Sequence, residues 1–375
     1  MPTSIFSSAD HNFMQQAIAL AKQGQYTATP NPAVGCVLVK DGAIVGRGFH
    51  AKAGLPHAER IALADAGVAA QGATAYVTLE PCAHYGRTPP CALGLIEAGV
   101  RRVVAAMLDP NPLVAGKGIQ MLQEAGIECQ VGLLGEQAEA LNRGFLSRMR
   151  YARPFVQLKL AMSLDGRTAM ANGESKWITG TAARADVQHH RAMVSAILST
   201  SATVLADDPA LNVRWADFPP ELRECYPESQ VRQPVRVILD SQHRVTPQHR
   251  LFATHSPVWL VSSQARDMSG FPAFCGELLL PEGFTLAQLM HSLAERQINS
   301  LWVEAGANFA GSLIEQNQVD ELLLYVAPKL LGDSARGLCH LPHLQRLADA
   351  PLWRLIDIEQ IADDLKLIYQ RYDNA

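Results

Sequence analysis

Apolar residues recur along the chain with two periods, and the alternation between them lays out the secondary structure. Phe13, Ala17, Ile18 and Ala21 share one helical face, so the spacing predicts a helix that Asp10 caps and Gly24 closes. VGCVLV (34–39), the turn Asp41-Gly42 and AIVGRG (43–48) read as a hairpin, because Asp-Gly tolerates the positive φ of a tight turn. Then follow HAERIALADAG (57–67) as helix, TAYVTLE (74–80) as strand and CALGLIEAG (91–99) as helix. RRVVAAML (101–108) is a strand, GIQMLQEAG (118–126) a helix, IECQVG (127–132) a strand, and 135–149 one last helix. Strands and helices alternating over short loops imply a sheet covered by helices.

The pattern restarts around Tyr151-Ala152-Arg153-Pro154. FVQLKLAMS (155–163) is a strong strand signal whose entrance suits a proline. AILST (196–200), VRVILD (235–240), VWLVSS (258–263), SLWVEA (300–305) and ELLLYVA (321–327) supply further apolar strands, with helical stretches between them and a hairpin in 354–372. Since 375 residues are long for one domain, the expectation is two, 1–150 and 151–375. Residues 215–233 read as a polar insertion. His189 and His190 read as solvated helical positions, and Trp302, inside an apolar strand, as core.

Composition narrows the function. With 48% hydrophobic and 18% charged residues the chain has ample core, and a formal charge of −4 offers no general attraction to a phosphate backbone. Seven cysteines, an odd number spread over a long chain, do not make a disulfide framework. They fit a reducing cytoplasm. The first residues lack the basic region and apolar run of a leader, and no apolar stretch approaches about twenty residues, so no membrane span is expected.

The chemistry concentrates in two short stretches, HAER (57–60) and PCAHYGRTPPC (81–91). His57, Cys82 and Cys91 are a nitrogen and two sulfurs, the donors that zinc prefers, and three protein ligands leave the fourth position to water. Glu59 follows His57 by two residues at a helix start, where a carboxylate can carry protons beside a metal. A helix beginning within the Cys82 loop would also help to hold a thiolate. The same residues fit a closed structural zinc with His84 as fourth ligand, or buried thiols without metal. H-x-E followed by P-C and a second Cys is the signature of zinc nucleobase deaminases. Here eight residues separate the cysteines where the common form has two, and Gly86, Pro89 and Pro90 let that loop fold back.

TPNPAVGCVLV (29–39), HAER and EPCAHYGRTPPC (80–91) together resemble the deaminase domain of the bifunctional riboflavin-biosynthesis family. KLAMSLDGRTA (159–169), ESKWITG (174–180), VLADDPALNVR (204–214) and WVEAGANFAGSL (302–313) resemble its reductase domain, in the same order. The resemblance implies a cytidine-deaminase-like, three-layer α/β domain with a mixed sheet, followed by a dihydrofolate-reductase-like α/β domain. It implies hydrolytic deamination of 2,5-diamino-6-(ribosylamino)-4(3H)-pyrimidinone 5′-phosphate, then NADPH-dependent reduction of the ribosyl group to ribityl. His57, Cys82 and Cys91 would hold Zn2+, Glu59 would shuttle protons, and Asn31 and His50 would contact the pyrimidine. Asn31 in a P-N-P turn is equally a good turn residue.

For the second half, the resemblance puts NADPH along Gly306, Ala307, Asn308, Phe309, Ala310, Gly311 and Ser312, and at Ala161, Trp177, Thr203, Asp207 and Ser241. It puts substrate at Ser175, Arg191, Leu211, Arg214 and Glu304, the two arginines suiting a sugar phosphate. There is no G-x-G-x-x-G, so a Rossmann fold is not expected. A homodimer through the reductase domain is also implied. Two other readings compete: a deaminase of RNA bases, which the acidic composition disfavours, and a zinc-stabilised scaffold that binds a nucleotide.

Overall fold

A computed structural model of the chain describes residues 6–85, 89–112 and 114–372. The chain divides into two compact units, one up to Ala152 and one from Arg153 onward. In the first, α1 (Ser8–Lys22) precedes the hairpin β1 (Gly35–Lys40) and β2 (Ala43–Phe49). After it come α2 (Ala58–Ala66), β3 (Thr74–Val77), α3 (Cys91–Glu97) and β4 (Arg102–Ala105). The unit ends with α4 (Lys117–Glu124), β5 (Glu128–Val131), α5 (Gly135–Leu141) and α6 (Arg143–Tyr151). The sheet runs β2-β1-β3-β4-β5, antiparallel across β2-β1-β3 and parallel across β3-β4-β5. It is the mixed sheet expected. Val37, Leu38, Tyr76, Val103 and Val104 put side chains into its core, against Met14, Ala17, Ala62 and Leu95 of the helices.

The second unit opens with β6 (Phe155–Ser163), β7 (Arg167–Ala169), α7 (Thr181–Met193), β8 (Ala196–Thr200) and α8 (Ser201–Asp207). Then come α9 (Pro220–Cys225), β9 (Val235–Leu239), β10 (Val258–Ser262), β11 (Cys275–Leu279) and α10 (Leu286–Glu295). The chain finishes with β12 (Ser300–Glu304), α11 (Ala307–Glu315), β13 (Glu321–Ala327), β14 (Arg336–Gly337) and the hairpin β15 (Trp353–Ile361) and β16 (Asp364–Arg371). Nine strands form one sheet in the order β11-β10-β9-β8-β12-β6-β13-β16-β15, parallel except for the terminal hairpin. Alternate residues enter two cores. Leu301 and Val303 join Leu289 and Leu313 on one face, while Trp302 joins Ile197, Val187 and Tyr325 on the other.

Four local expectations need correction. Ser7, not Asp10, caps α1; Asp10 sits at the third helical position and accepts the Ser7 backbone N–H at 2.8 Å, closing a capping box. Gln23, not Gly24, ends that helix. The single helix over 135–149 is two, broken at Asn142, whose φ of −121° lies outside the helical range. The stretch 215–233 is not a polar excursion: Phe218, Leu222 and Tyr226 are buried, and Trp215 Nε1 donates to the Tyr226 carbonyl at 2.9 Å. A few apolar side chains carry its packing, and a count of polar residues does not register them. Among the described residues no helix is long and apolar enough to cross a membrane.

Candidate active sites

In the first unit, Gly48 of β2 lets α2 lie directly against the sheet, since a Cβ there would stand 2.2 Å from the Ala58 carbonyl oxygen. This seats the start of α2, with His57 as its N-cap and Glu59 in its first turn. Cys91 opens α3, and its backbone N–H donates to Cys82 Sγ at 3.3 Å, the thiolate-stabilising contact that the sequence suggests. His57 Nδ1 lies 3.6 Å from Cys82 Sγ and 3.4 Å from Cys91 Sγ, and the three donor atoms fall within 4.8 Å of one another. Tetrahedral zinc, with bonds of about 2.0 Å to nitrogen and 2.3 Å to sulfur, requires N···S separations of roughly 3.5 Å. The donor set fits zinc. His84 is exposed and is not part of the cluster. Gly86 lies outside the described residues.

Glu59 is buried, and burial pushes its carboxyl up to about 7, where it can both take and give a proton. The Cys91 side chain, then the His57 ring, hold the Cys82 thiol well below the usual range. Asn31 and His50 meet beside the cluster, with Asn31 Nδ2 at 3.0 Å from His50 Nε2 and the His50 ring 5.2 Å edge-on from that of His57. His50 Nδ1 faces the Pro56 carbonyl at 3.1 Å, and burial lowers the ring's pKa. A neutral ring with Nδ1–H on Pro56 accepts at Nε2 from the Asn31 amide, which fixes how that amide points.

Sequence reasoning missed what holds these loops. Asn142, at the helix break, accepts the Ala33 N–H at 2.8 Å and donates to the Ala33 carbonyl at 2.9 Å, pinning the segment after Asn31. Glu80 is buried and accepts the backbone N–H groups of Asp109, Gly116, Gly118 and Ile119 at 2.8–3.2 Å, anchoring the strand end before Cys82. The acidic residue ahead of Pro81-Cys82 was a visible signal for that role.

In the second unit, Ser241 follows β9, Thr203 and Asp207 lie in the helix after β8, Glu304 ends β12, and Ala161 sits late in β6. These strands are neighbours in the order β9-β8-β12-β6, all parallel, so the residues share the carboxyl edge where open α/β sheets bind ligands. Ser175, Trp177, Arg191, Asp207, Leu211 and Arg214 line one cavity of about 690 Å³, a size suited to a small ligand. The segment 306–312 is less uniform than expected. Gly306 caps α11, and Gly306 and Asn308 are exposed, whereas Ala310 and Gly311 face the protein; a Cβ on Gly311 would stand 1.8 Å from the His340 carbonyl oxygen. Only the first turn of this helix therefore offers backbone N–H groups to a phosphate.

The two arginines are already engaged. Arg191 holds Glu304 with Nε to Oε1 at 2.6 Å and Nη2 to Oε2 at 2.9 Å, and reaches the Asn212 carbonyl through Nη1 at 2.9 Å. Arg214 pairs with Asp217 at 2.6 Å. Opposite Glu304 in the β12–β6 register stands Lys159, lowered in pKa by burial, which the sequence showed only as a lone cation in an apolar strand. His189 and His190 are half-buried rather than solvated, since the His190 ring stacks on Trp302.

Comparison with known proteins decides between the competing readings. The family profile of the cytidine and deoxycytidylate deaminase zinc-binding region matches residues 7–107, and that of the RibD C-terminal domain matches residues 154–367. The chain is 69% identical to the riboflavin biosynthesis protein RibD of Haemophilus influenzae, over 97% of this chain and 98% of that one. The chain belongs to the RibD family. Its counterpart from Escherichia coli is 55% identical over 96% of this chain and 98% of its own. The solved structure of Acinetobacter baumannii RibD superposes with a TM-score of 0.90 at 46% identity, covering 97% of this chain and 99% of that one. A Thermotoga maritima structure, described as a diaminohydroxyphosphoribosylaminopyrimidine deaminase and 5-amino-6-(5-phosphoribosylamino)uracil reductase, gives 0.85 at 33% identity with the same coverage. The protein is thus a bifunctional deaminase and reductase of riboflavin biosynthesis, using zinc in its first unit and NADPH in its second.

Proposed function

We propose that the first unit deaminates 2,5-diamino-6-(ribosylamino)-4(3H)-pyrimidinone 5′-phosphate by hydrolysis. The second then reduces the ribosyl group, giving 5-amino-6-(5-phosphoribitylamino)uracil. The observation that carries this reading is the meeting of His57, Cys82 and Cys91 at zinc-like separations over the buried Glu59, beside Asn31 and His50. Zinc held there supplies a Lewis acid that makes water nucleophilic at neutral pH. Glu59 takes the proton that water gives up and passes it to a ring nitrogen; it then takes the proton of the hydroxyl added at the ring carbon and hands it to the departing ammonia. Asn31, with its amide oriented by His50, reads the edge of the pyrimidine.

In the second unit, NADPH supplies the reducing equivalent. The first turn of α11 and Ala161, Trp177, Thr203, Asp207 and Ser241 hold it along the carboxyl edge of the sheet. Ser175, Arg191, Leu211, Arg214 and Glu304 hold the substrate. Arg191 keeps one N–H on each of Nη1 and Nη2 beyond those spent on Glu304 and Asn212, enough to receive a phosphate oxygen. Two copies join through the reductase unit in this reading. Its support is the sheet's last strand, β15, where Leu355, Ile356 and Ile358 are exposed on an unpaired edge that a second chain would cover. The location is cytoplasmic, in keeping with seven free cysteines, two of them metal ligands. Incubating the pure protein with the diaminopyrimidine phosphate, and following ammonia release and NADPH oxidation separately, tests the reading. Ammonia release without NADPH, followed by oxidation when NADPH is added, is expected; the absence of either reaction refutes the corresponding half.

A further inference from the structure

Glu304 is surrounded by more than its arginine. Its Oε1 accepts from Arg191 Nε at 2.6 Å and also from Trp302 Nε1 at 2.8 Å, while Oε2 accepts from Arg191 Nη2 at 2.9 Å. A carboxylate has about four acceptor directions, so three are occupied, and the open one is on Oε2. The indole that closes Oε1 is fully buried, and it lies flat against the His190 ring with centroids 4.9 Å apart and planes 10° from parallel. His190 stands on α7 one turn after Asp186, with Nε2 3.6 Å from the Asp186 carboxylate, an ion pair when the ring is protonated. Asp186 is in turn fixed from the sheet, by the Tyr325 hydroxyl at 2.6 Å and Lys366 Nζ at 3.0 Å; Lys366 also pairs with Glu359 at 2.7 Å. Lys159 lies over the Tyr325 ring at 5.8 Å, and His189 adjoins the same cluster.

We infer that Trp302 is a positioning residue for the reductase reaction: clamped by the His190–Asp186 pair, its N–H fills Glu304 Oε1 and leaves Oε2 as the acceptor for a hydroxyl of the substrate's sugar. The inference rests on the reading that places Glu304 in the substrate pocket. A buried indole N–H needs an acceptor, and here it takes one oxygen of the carboxylate at the pocket. A tryptophan serving packing alone would be indifferent to which oxygen its N–H meets, and would need no parallel histidine anchored through an aspartate to the next layer. The carboxylate gains a fixed rotamer from it. Arg191 reaches Oε1 through Nε and Oε2 through Nη2, and the indole adds a second donor to Oε1 alone, so the two oxygens are no longer equivalent and Oε2 keeps the open lone pair.

The test uses the full-length enzyme, supplied with the deaminated intermediate, and reads reductase KM and kcat, NADPH affinity, and deamination in the other unit. Trp302→Phe keeps a buried ring and loses the N–H, so a rise in KM of about tenfold is expected, with kcat, NADPH affinity and deamination unchanged. His190→Ala, which removes the stack without entering the sheet, should raise KM about threefold, and His190→Phe should recover most of that loss. It also keeps the test open if Trp302→Phe folds poorly. Glu304→Gln separates the two levels of the argument. A raised KM in Glu304→Gln beside unaltered values in Trp302→Phe and His190→Ala overturns the positioning role alone. An unaltered KM in Glu304→Gln removes the pocket assignment and this inference with it. Equal losses of KM, NADPH affinity and thermal stability in Trp302→Phe would make the indole packing only, and overturn the inference as well.

Discussion

Glu59 is buried within the first turn of α2, outside the cluster of three candidate ligand atoms that His57, Cys82 and Cys91 form. The division of labour can be read from metal content and rate together. Glu59→Gln should keep one zinc per chain and lose deamination by roughly 10²–10⁴-fold, because the amide holds the space and cannot move the proton. Zinc lost along with activity would instead make Glu59 a ligand. His84→Ala should also retain near-stoichiometric zinc, since His84 is exposed outside the donor set, and a closed four-ligand site would leave no place for water. Metal analysis of both variants, beside ammonia release, checks the pair. His57, Cys82, Cys91 and Glu59 were legible in the sequence because a metal restricts both donor type and local spacing. The Asn31–His50 contact was not, as 19 residues separate partners that only the folded loops bring to 3.0 Å.

At the scale of elements, two joints carry the sites. The break between α5 and α6 exists because Asn142 leaves the helix to bond both backbone groups of Ala33. Asn142→Ala would strand a buried N–H and C=O, at a cost of roughly 2–4 kcal/mol to the deaminase unit. Chemical denaturation should show that loss, and deamination KM should rise with it as the Asn31 loop loosens. The second joint is Glu304 between β12 and α7. Burial by itself would raise its carboxyl, but the Arg191 charge and hydrogen bonds, with Lys159 and the Trp302 N–H, pull it down to about 2. The unfolded chain titrates near 4.3, so the stabilisation is complete above about pH 5 and disappears as pH falls towards 2. It amounts to roughly 3 kcal/mol. Unfolding measured between about pH 6 and 2 should steepen over that interval, and Glu304→Gln should flatten it. A helix period predicted 135–149 as one rod because periodicity counts apolar positions and is blind to a side chain that bonds another segment.

For the whole molecule, the two compact units meet in sequence at Ala152 and Arg153. Arg153 forks onto Asp320 at 2.7 and 2.8 Å. Each unit has its own sheet and its own cores. Expressed apart, residues 1–152 should release ammonia without NADPH, and residues 153–375 should oxidise NADPH with deaminated substrate in the presence of a zinc chelator. Two folded but inactive fragments would mean that each site needs the other unit.

The sequence by itself determined most of the strands and the family, and brought out His57, Cys82, Cys91 and Glu59 as candidates, because each is written in local periods or in short motifs under strict chemical demand. Tertiary structure alone decided the rest. Arg191 was a candidate partner for a sugar phosphate, and only the fold shows that Glu304, 113 residues away, takes its Nε and Nη2. Ala310 and Gly311 fall in the stretch that the resemblance gives to NADPH, and only the fold shows that both are buried, Gly311 against the His340 backbone. His190 looked solvated, yet the sheet brings Trp302 under its ring. In every such case the deciding partner lies far along the chain, and a burial or a hydrogen bond made across that distance leaves no trace in the spacing of nearby residues.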